Sequence, residues 1–132
     1  MAELDRGDWR LSYDVSGHEN TATSLFLHDI GTDRRVWHAL AKDMGSDFRV
    51  IAPDLRGLGA SGQPAEHANP QMADYATDLI ALLKHLRVEG CAVIGAGFGA
   101  EVALKLALTE PELVQSLVIS GATPVSDHAT YD

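Results

Sequence analysis

Cysteine is nearly missing from this 132-residue chain, Cys91 being the only one. A lone thiol inside the apolar run Cys91-Ala92-Val93-Ile94 gives no disulfide framework and reads as a small buried hydrophobe. Basic residues are also few, with ten Lys and Arg against nineteen Asp and Glu and a formal charge of -9. That balance repels phosphate backbones and anionic membrane surfaces, so neither nucleic acid nor a membrane is expected as a partner. No apolar run approaches the length of about 18 residues that spans a bilayer. The start Met1-Ala2-Glu3-Leu4-Asp5 lacks the basic and apolar regions of a signal peptide, which predicts a cytoplasmic protein. Internal repeats and low-complexity blocks are absent as well. His18, His38, His67, His85 and His128 show no metal-ligand spacing, and no metal site is expected.

What is present is enough apolar material, 45% of residues, for one domain over residues 1–132 that buries roughly two-thirds of its unfolded surface. Trp9, Leu11, Tyr13 and Val15 alternate with polar residues, the period of a strand with one wet face, expected at a sheet edge. Leu25-Phe26-Leu27, Val50-Ile51-Ala52, Ala92-Val93-Ile94 and Leu117-Val118-Ile119 are continuously apolar, as in strands covered on both faces. Between them, Trp37, Leu40, Ala41 and Met44 share one helical face, and Tyr75, Leu79, Leu82, Leu83 and Leu86 share another, with Pro70 suited to that helix's first turn. A third helix is predicted from Phe98 to about Leu108, stopped by Pro111 and apolar on most sides. Alternating strands and helices predict a doubly wound α/β fold, a mostly parallel sheet of about five strands flanked by helices. Residues 57–69 form its longest loop.

In such sheets ligands bind outside the carboxyl ends of the strands, where the turns His28–Gly31, Asp54–Ser61, Gly95–Gly99 and Ser120–Pro124 should converge. The most telling of these is Gly95-Ala96-Gly97-Phe98-Gly99, which has the layout of a G-x-S-x-G nucleophile elbow with only hydrogen at its centre. Covalent catalysis from Gly97 is therefore excluded. Strain at such a turn costs about 1–3 kcal/mol when a side chain is present, and glycine relieves most of it.

Leu27-His28-x-x-Gly31 followed by Trp37, Asp54-Leu55-Arg56-Gly57-x-Gly59-x-Ser61 with a downstream Tyr75-Ala76-x-Asp78-Leu79, and Gly95-x-Gly97-x-Gly99-Ala100 together resemble the α/β-hydrolases, in particular the epoxide-hydrolase, dehalogenase and lactonase branch. The resemblance covers residues 9–122. It implies a truncated α/β-hydrolase core, a partial domain without the cap and last two strands of the family. It puts the nucleophile position at Gly97 and the oxyanion-hole amides at Phe98 and Ile30. Where the family usually has His-Gly, this chain has His28-Asp29, bringing a carboxylate near the place where a developing oxyanion needs positive potential. The catalytic histidine has no counterpart, and Asp127 is only a nominal match for the acid. His28-Asp29-Ile30-Gly31 together with a glycine elbow is also similar to the N-myc-downstream-regulated family, regarded as non-catalytic. The resulting expectation is a pseudoenzyme with no catalytic residues and no cofactor, binding a small molecule or a partner, with His28, Asp29, Ile30, Gly31, Gly97 and Phe98 as the binding residues.

Other readings compete. Gly95-x-Gly97-x-x-Ala100 also fits the dinucleotide fingerprint and would suggest FAD or NAD, but the ribose-binding acid is missing at Ser120-Gly121-Ala122. The same glycines could simply permit close helix–sheet packing. An ester, lactone or epoxide hydrolase completed by another chain is a further alternative. Asp54 and Arg56 could act on substrate as a charged pair, although a carboxylate after a strand usually orders its loop. Ser61 is expected to bond to backbone, and His28 to be hydrogen-bonded at a strand end. Finally, Leu117–Ile119 as a last, apolar edge strand predicts pairing with a second copy or with a partner chain.

Overall fold

The computed structural model describes residues 1–66 and 69–121. Within them β1 (Ala2–Asp5), β2 (Arg10–Ser16), β3 (Ala22–Leu27), β4 (Phe48–Pro53), β5 (Cys91–Ala96) and β6 (Val114–Ser120) form one sheet in the order β1-β2-β4-β3-β5-β6. The four apolar strands run parallel: Leu25 lies opposite Ile51 on one side and Val93 on the other, and Val93 lies opposite Leu117. β2 joins antiparallel to β4, and β1 antiparallel to β2. The parallel pairing of β3, β4 and β5 fits their double-sided apolar runs, whereas β6, read as covered on both faces, has Val118 58% and Ile119 40% exposed because it is the outermost strand among the described residues.

Two features of the first strand differ from the sequence pattern. The sheet has six strands, not about five, because β1 adds an outer ribbon, and β2 is therefore an interior strand and not an edge. β1 carries charge at Glu3 and Asp5 and turns only Leu4 toward the core, so it has too little apolar periodicity to be legible. Along β2 the alternation also breaks: Ser12 is fully buried, while Val15 is 41% exposed near the strand end. Ser12 is tolerated inside because its N–H donates to Ser61 Oγ at 2.8 Å and its hydroxyl donates to the Ala60 carbonyl at 3.1 Å.

Helices flank both faces. A 3-10 turn at Arg34–Trp37 leads into α1 (His38–Met44); Trp37 of the turn and Ala41 and Met44 of the helix cover Phe26, Val50 and Ala52, with Trp37 tilted against Phe26 at 5.0 Å between ring centroids. Leu40, read from its spacing as part of that face, is 43% exposed, because the 3-10 turn rotates the register of the short helix. On the other face, α2 (Met72–His85) buries Ala76, Leu79, Leu82 and Leu83, and α3 (Phe98–Thr109) buries Val102, Ala103 and Leu106 against Leu25, Leu27, Ile51 and Val93. Pro70 lies before the α2 cap and not in its first turn; the cap is a box in which the Gln71 N–H donates to Asp74 at 2.6 Å. α3 is less apolar in its surroundings than its composition suggests, with Leu108 80% exposed. Among the described residues no helix is long and apolar enough to cross a membrane.

Candidate functional site

The loops after β3, β4 and β5 meet at the carboxyl end of the parallel strands. Gly97 forms the bend between β5 and α3 with φ 56° and ψ -120°, a backbone that side chains rarely adopt. Its N–H donates to the Ser120 carbonyl at 2.7 Å, tying the bend to the end of β6. Two residues on, a Cβ at Gly99 would meet the carbonyl groups of Leu27 and His28, so α3 approaches β3 as closely as a helix can only where it has glycine. The strand–turn–helix geometry of an elbow is thus complete, with only hydrogen on its central residue, Gly97.

What fills the gap is Asp29. Its Oδ1 accepts the N–H of Ile30 at 2.7 Å and the N–H of Phe98 at 2.8 Å. A Cβ built on Gly97 would fall on the Asp29 carboxylate. One carboxylate therefore occupies both the volume of the elbow side chain and the amide pair that the sequence resemblance assigned to an oxyanion. The reason is local. The Asp29 carbonyl accepts from the N–H of Thr32 at 3.2 Å and from its hydroxyl at 2.7 Å, and Gly31 takes φ 84°, closing a tight turn that aims the side chain at the α3 amino terminus. There it satisfies an amide that the helix itself leaves unpaired and complements the helix dipole.

His28 is fully buried and has no free nitrogen. Nε2 accepts the Leu55 N–H at 2.9 Å, which puts the proton on Nδ1, and that donates to the Asp29 carbonyl at 2.8 Å. The neutral ring bridges the β3 and β4 loops and does not face the crevice. Of the residues read as a binding set, Asp29, Ile30 and Gly31 are exposed, and Gly97 and Phe98 half-buried. Phe98 meets Tyr75 edge-on at 5.0 Å, and burial raises the Tyr75 phenol above its ordinary value. Asp127, His67, His128 and the turn residues Ala122–Pro124 lie outside the described residues.

Asp54 and Arg56 do not pair with each other. Asp54, fully buried, accepts from Arg34 N and Nη1, each at 2.7 Å, and from the Ala60 N–H at 2.8 Å, ordering the loop. Arg56 instead makes a two-pronged bond to Asp78 on α2, 2.8 Å at each contact. Ser61 Oγ donates to the Asp54 carbonyl at 2.7 Å, so it too is structural. The sequence left one legible trace of the second pair, a carboxylate at Asp78 inside the apolar stripe of Ala76, Leu79 and Leu82. Arg34, by contrast, reaches Asp54 across twenty residues, and no local pattern marks it. Arg34 also bonds to Asp14 at 2.9 Å. Burial alone would raise the Asp14 carboxyl, but bonds from His38 and Arg34 hold it below its ordinary value.

A surface cleft of about 380 Å³ lies elsewhere, between α1 and the sheet, lined by Trp37, His38, Ala41, Val50 and Ala52. It shares no residue with the elbow. Among the described residues no group of three His, Cys, Asp or Glu is placed to hold a metal ion.

A parallel sheet with helices on both faces and a glycine-lined strand–turn–helix bend at its carboxyl edge defines the hydrolase-type α/β class. Residues 25–132 match the family of the alpha/beta hydrolase fold, and the chain belongs to that family. It is 35% identical over 95 residues to a 2-hydroxymuconate semialdehyde hydrolase of Pseudomonas sp., covering 68% of this chain and 31% of that protein. It is 29% identical over 110 residues to human epoxide hydrolase 4, covering 83% of this chain and 30% of the relative. A crystal structure of a hydrolase from Pseudomonas aeruginosa superimposes with a TM-score of 0.87 at 28% identity, over 99% of this chain and 49% of the other. The chain thus spans less than half the length of these relatives.

Proposed function

We propose that this α/β-hydrolase-fold chain is non-catalytic as a serine hydrolase and acts by binding a small molecule or a partner at the loops that follow its parallel strands. One observation carries the reading: the elbow is Gly97, and the two amides that would hold an oxyanion are bonded to Asp29. An acyl substrate reaching this site finds no nucleophile at the bend and no free donor pair, and negative charge stands where negative charge would develop. The same carboxylate opposes a diphosphate at the α3 amino terminus, which weighs against FAD or NAD. The expected result is background hydrolysis of p-nitrophenyl acetate by the protein and by Gly97→Ser alike, since a serine without its histidine gains little. Turnover of the unmodified protein at roughly 1–1,000 per second, blocked by a serine-directed phosphonate, overturns the reading.

A second reading is favoured by the relatives, two of which are named as hydrolases of an epoxide and of a semialdehyde. In it, groups from a further polypeptide segment complete a hydrolase of esters, lactones or epoxides. A cytoplasmic location belongs with either reading and is supported by the single cysteine, which offers no disulfide framework.

Pairing at the sheet edge is part of the same proposal. β6 pairs with β5 on one side, and among the described residues no strand pairs with its other side. Val118 is 58% and Ile119 40% exposed there, an apolar edge suited to a second copy or a separate chain. Light scattering on a sizing column should give a dimer at micromolar concentration; a clean monomer rules out self-pairing through this strand.

A further inference from the structure

The cleft between α1 and the sheet lies on the opposite face from α2 and α3, and its chemistry differs from that of the elbow. Its floor is Val50 and Ala52 of β4, both buried, and its walls are the half-buried Trp37 and Ala41. At about 380 Å³ it has the size and the apolar lining of a small-molecule site, in which a few polar groups at the edge fix the ligand. Asp14, His38 and Lys42 stand at that edge.

The charges there do not balance. Asp14 Oδ2 accepts from Arg34 Nε at 2.9 Å and from His38 Nε2 at 3.0 Å, and the amino terminus lies 3.6 Å from Oδ1. That carboxylate is already neutralised. The ion pairs at this cleft all converge on Asp14, and among the described residues none includes Lys42, an exposed ammonium at the rim. The net charge of -9 is spread over the chain and screened within about 8–10 Å at physiological salt, so the local excess is the single positive charge of Lys42.

An apolar trough with one uncompensated cation at its rim is the complement of an apolar body that carries one negative charge. We propose that this cleft binds small aliphatic carboxylates, with the hydrocarbon against Val50, Ala52, Trp37 and Ala41 and the carboxylate on Lys42. An organic cation would meet Lys42 and an Asp14 whose oxygens are taken. A neutral alcohol gains the apolar contact alone. The site shares no residue with the elbow, so it stands whether or not the reading of Gly97 and Asp29 holds.

The test is titration of the protein with octanoate at neutral pH while Trp37 emission is followed. The only other tryptophan, Trp9, is buried in the cluster on the other face of the sheet, so a change reports on the cleft. The expected result is a saturable change with a dissociation constant of about 1 mM or below. Octanol should bind about fivefold more weakly, the scale of a partly exposed ion pair, and octylammonium more weakly still. Lys42→Gln should bring octanoate down to the level of octanol and leave octanol unchanged. Ala41→Phe should fill the trough and abolish both, with circular dichroism checking its fold; if that variant does not fold, Lys42→Gln decides alone. Three outcomes overturn the proposal: no saturable change by about 10 mM octanoate, octylammonium binding as tightly as octanoate, or an octanoate affinity that Lys42→Gln leaves intact.

Discussion

Replacing Asp54 by alanine is expected to remove about 3–5 kcal/mol of folding stability, a large part of the roughly 5–15 kcal/mol that a domain of this kind possesses. The carboxylate is fully buried and receives three donors, the backbone and guanidinium of Arg34 and the Ala60 N–H. Alanine strands all of them at once. It leaves a guanidinium that is only 14% exposed with Asp14 as its remaining partner. It also releases the Asp54–Ser61 loop, whose Ser61 hydroxyl pins β2 through Ser12. Urea denaturation followed by circular dichroism should show the midpoint falling by roughly 2 M. Asp54→Asn keeps an acceptor and should cost less, about 1–3 kcal/mol. Equal midpoints for Asp54→Ala and the parent protein would refute the loop-ordering role.

Asp78→Ala should be comparably damaging, at about 3–5 kcal/mol, for a related reason. Asp78, 2% exposed on α2, binds Arg56 through both oxygens and Arg6 at 3.3 Å through one. Arg56 also lies over the Trp9 ring at 5.0 Å. This cluster joins the β1–β2 turn, the loop after β4 and α2. Bonds to Asp78 raise the Arg56 pKa, and even without them a guanidinium stays protonated, so deprotonation gives no escape once the carboxylate is gone. The decisive comparison is the double replacement Arg56→Met with Asp78→Ala. If the cost of Asp78→Ala is a buried, unpaired cation, removing the cation should restore most of the loss, a coupling of several kcal/mol between sites in contact. Additive losses would mean that the helix and not the ion pair was damaged.

The site was half legible in the chain. Gly97 announced an elbow without a nucleophile because the glycine spacing is local, confined to one bend. Asp29 announced a carboxylate beside the amides, again through its own short turn. Its descent onto the Gly97 position, with one oxygen serving both N–H groups, was not legible, since it depends on β3 and β5 being neighbours in the sheet. The pairing of Asp54 with Arg34, and of Arg56 with Asp78, was hidden for the same reason. The adjacent Asp54 and Arg56 suggested a pair that their strand geometry sends in different directions.

Sequence alone determined the parallel strands β3 to β6, the three helices and the absence of a side chain at the bend. Each of these follows from periodicity or residue identity within a few positions, where the physics is that of one strand or one turn. Only the tertiary structure decided that β1 covers β2, that buried charges choose partners far along the chain, and that Asp29 fills the site. Those outcomes rest on which loops the sheet brings within 3 Å of one another, about a hydrogen bond's length.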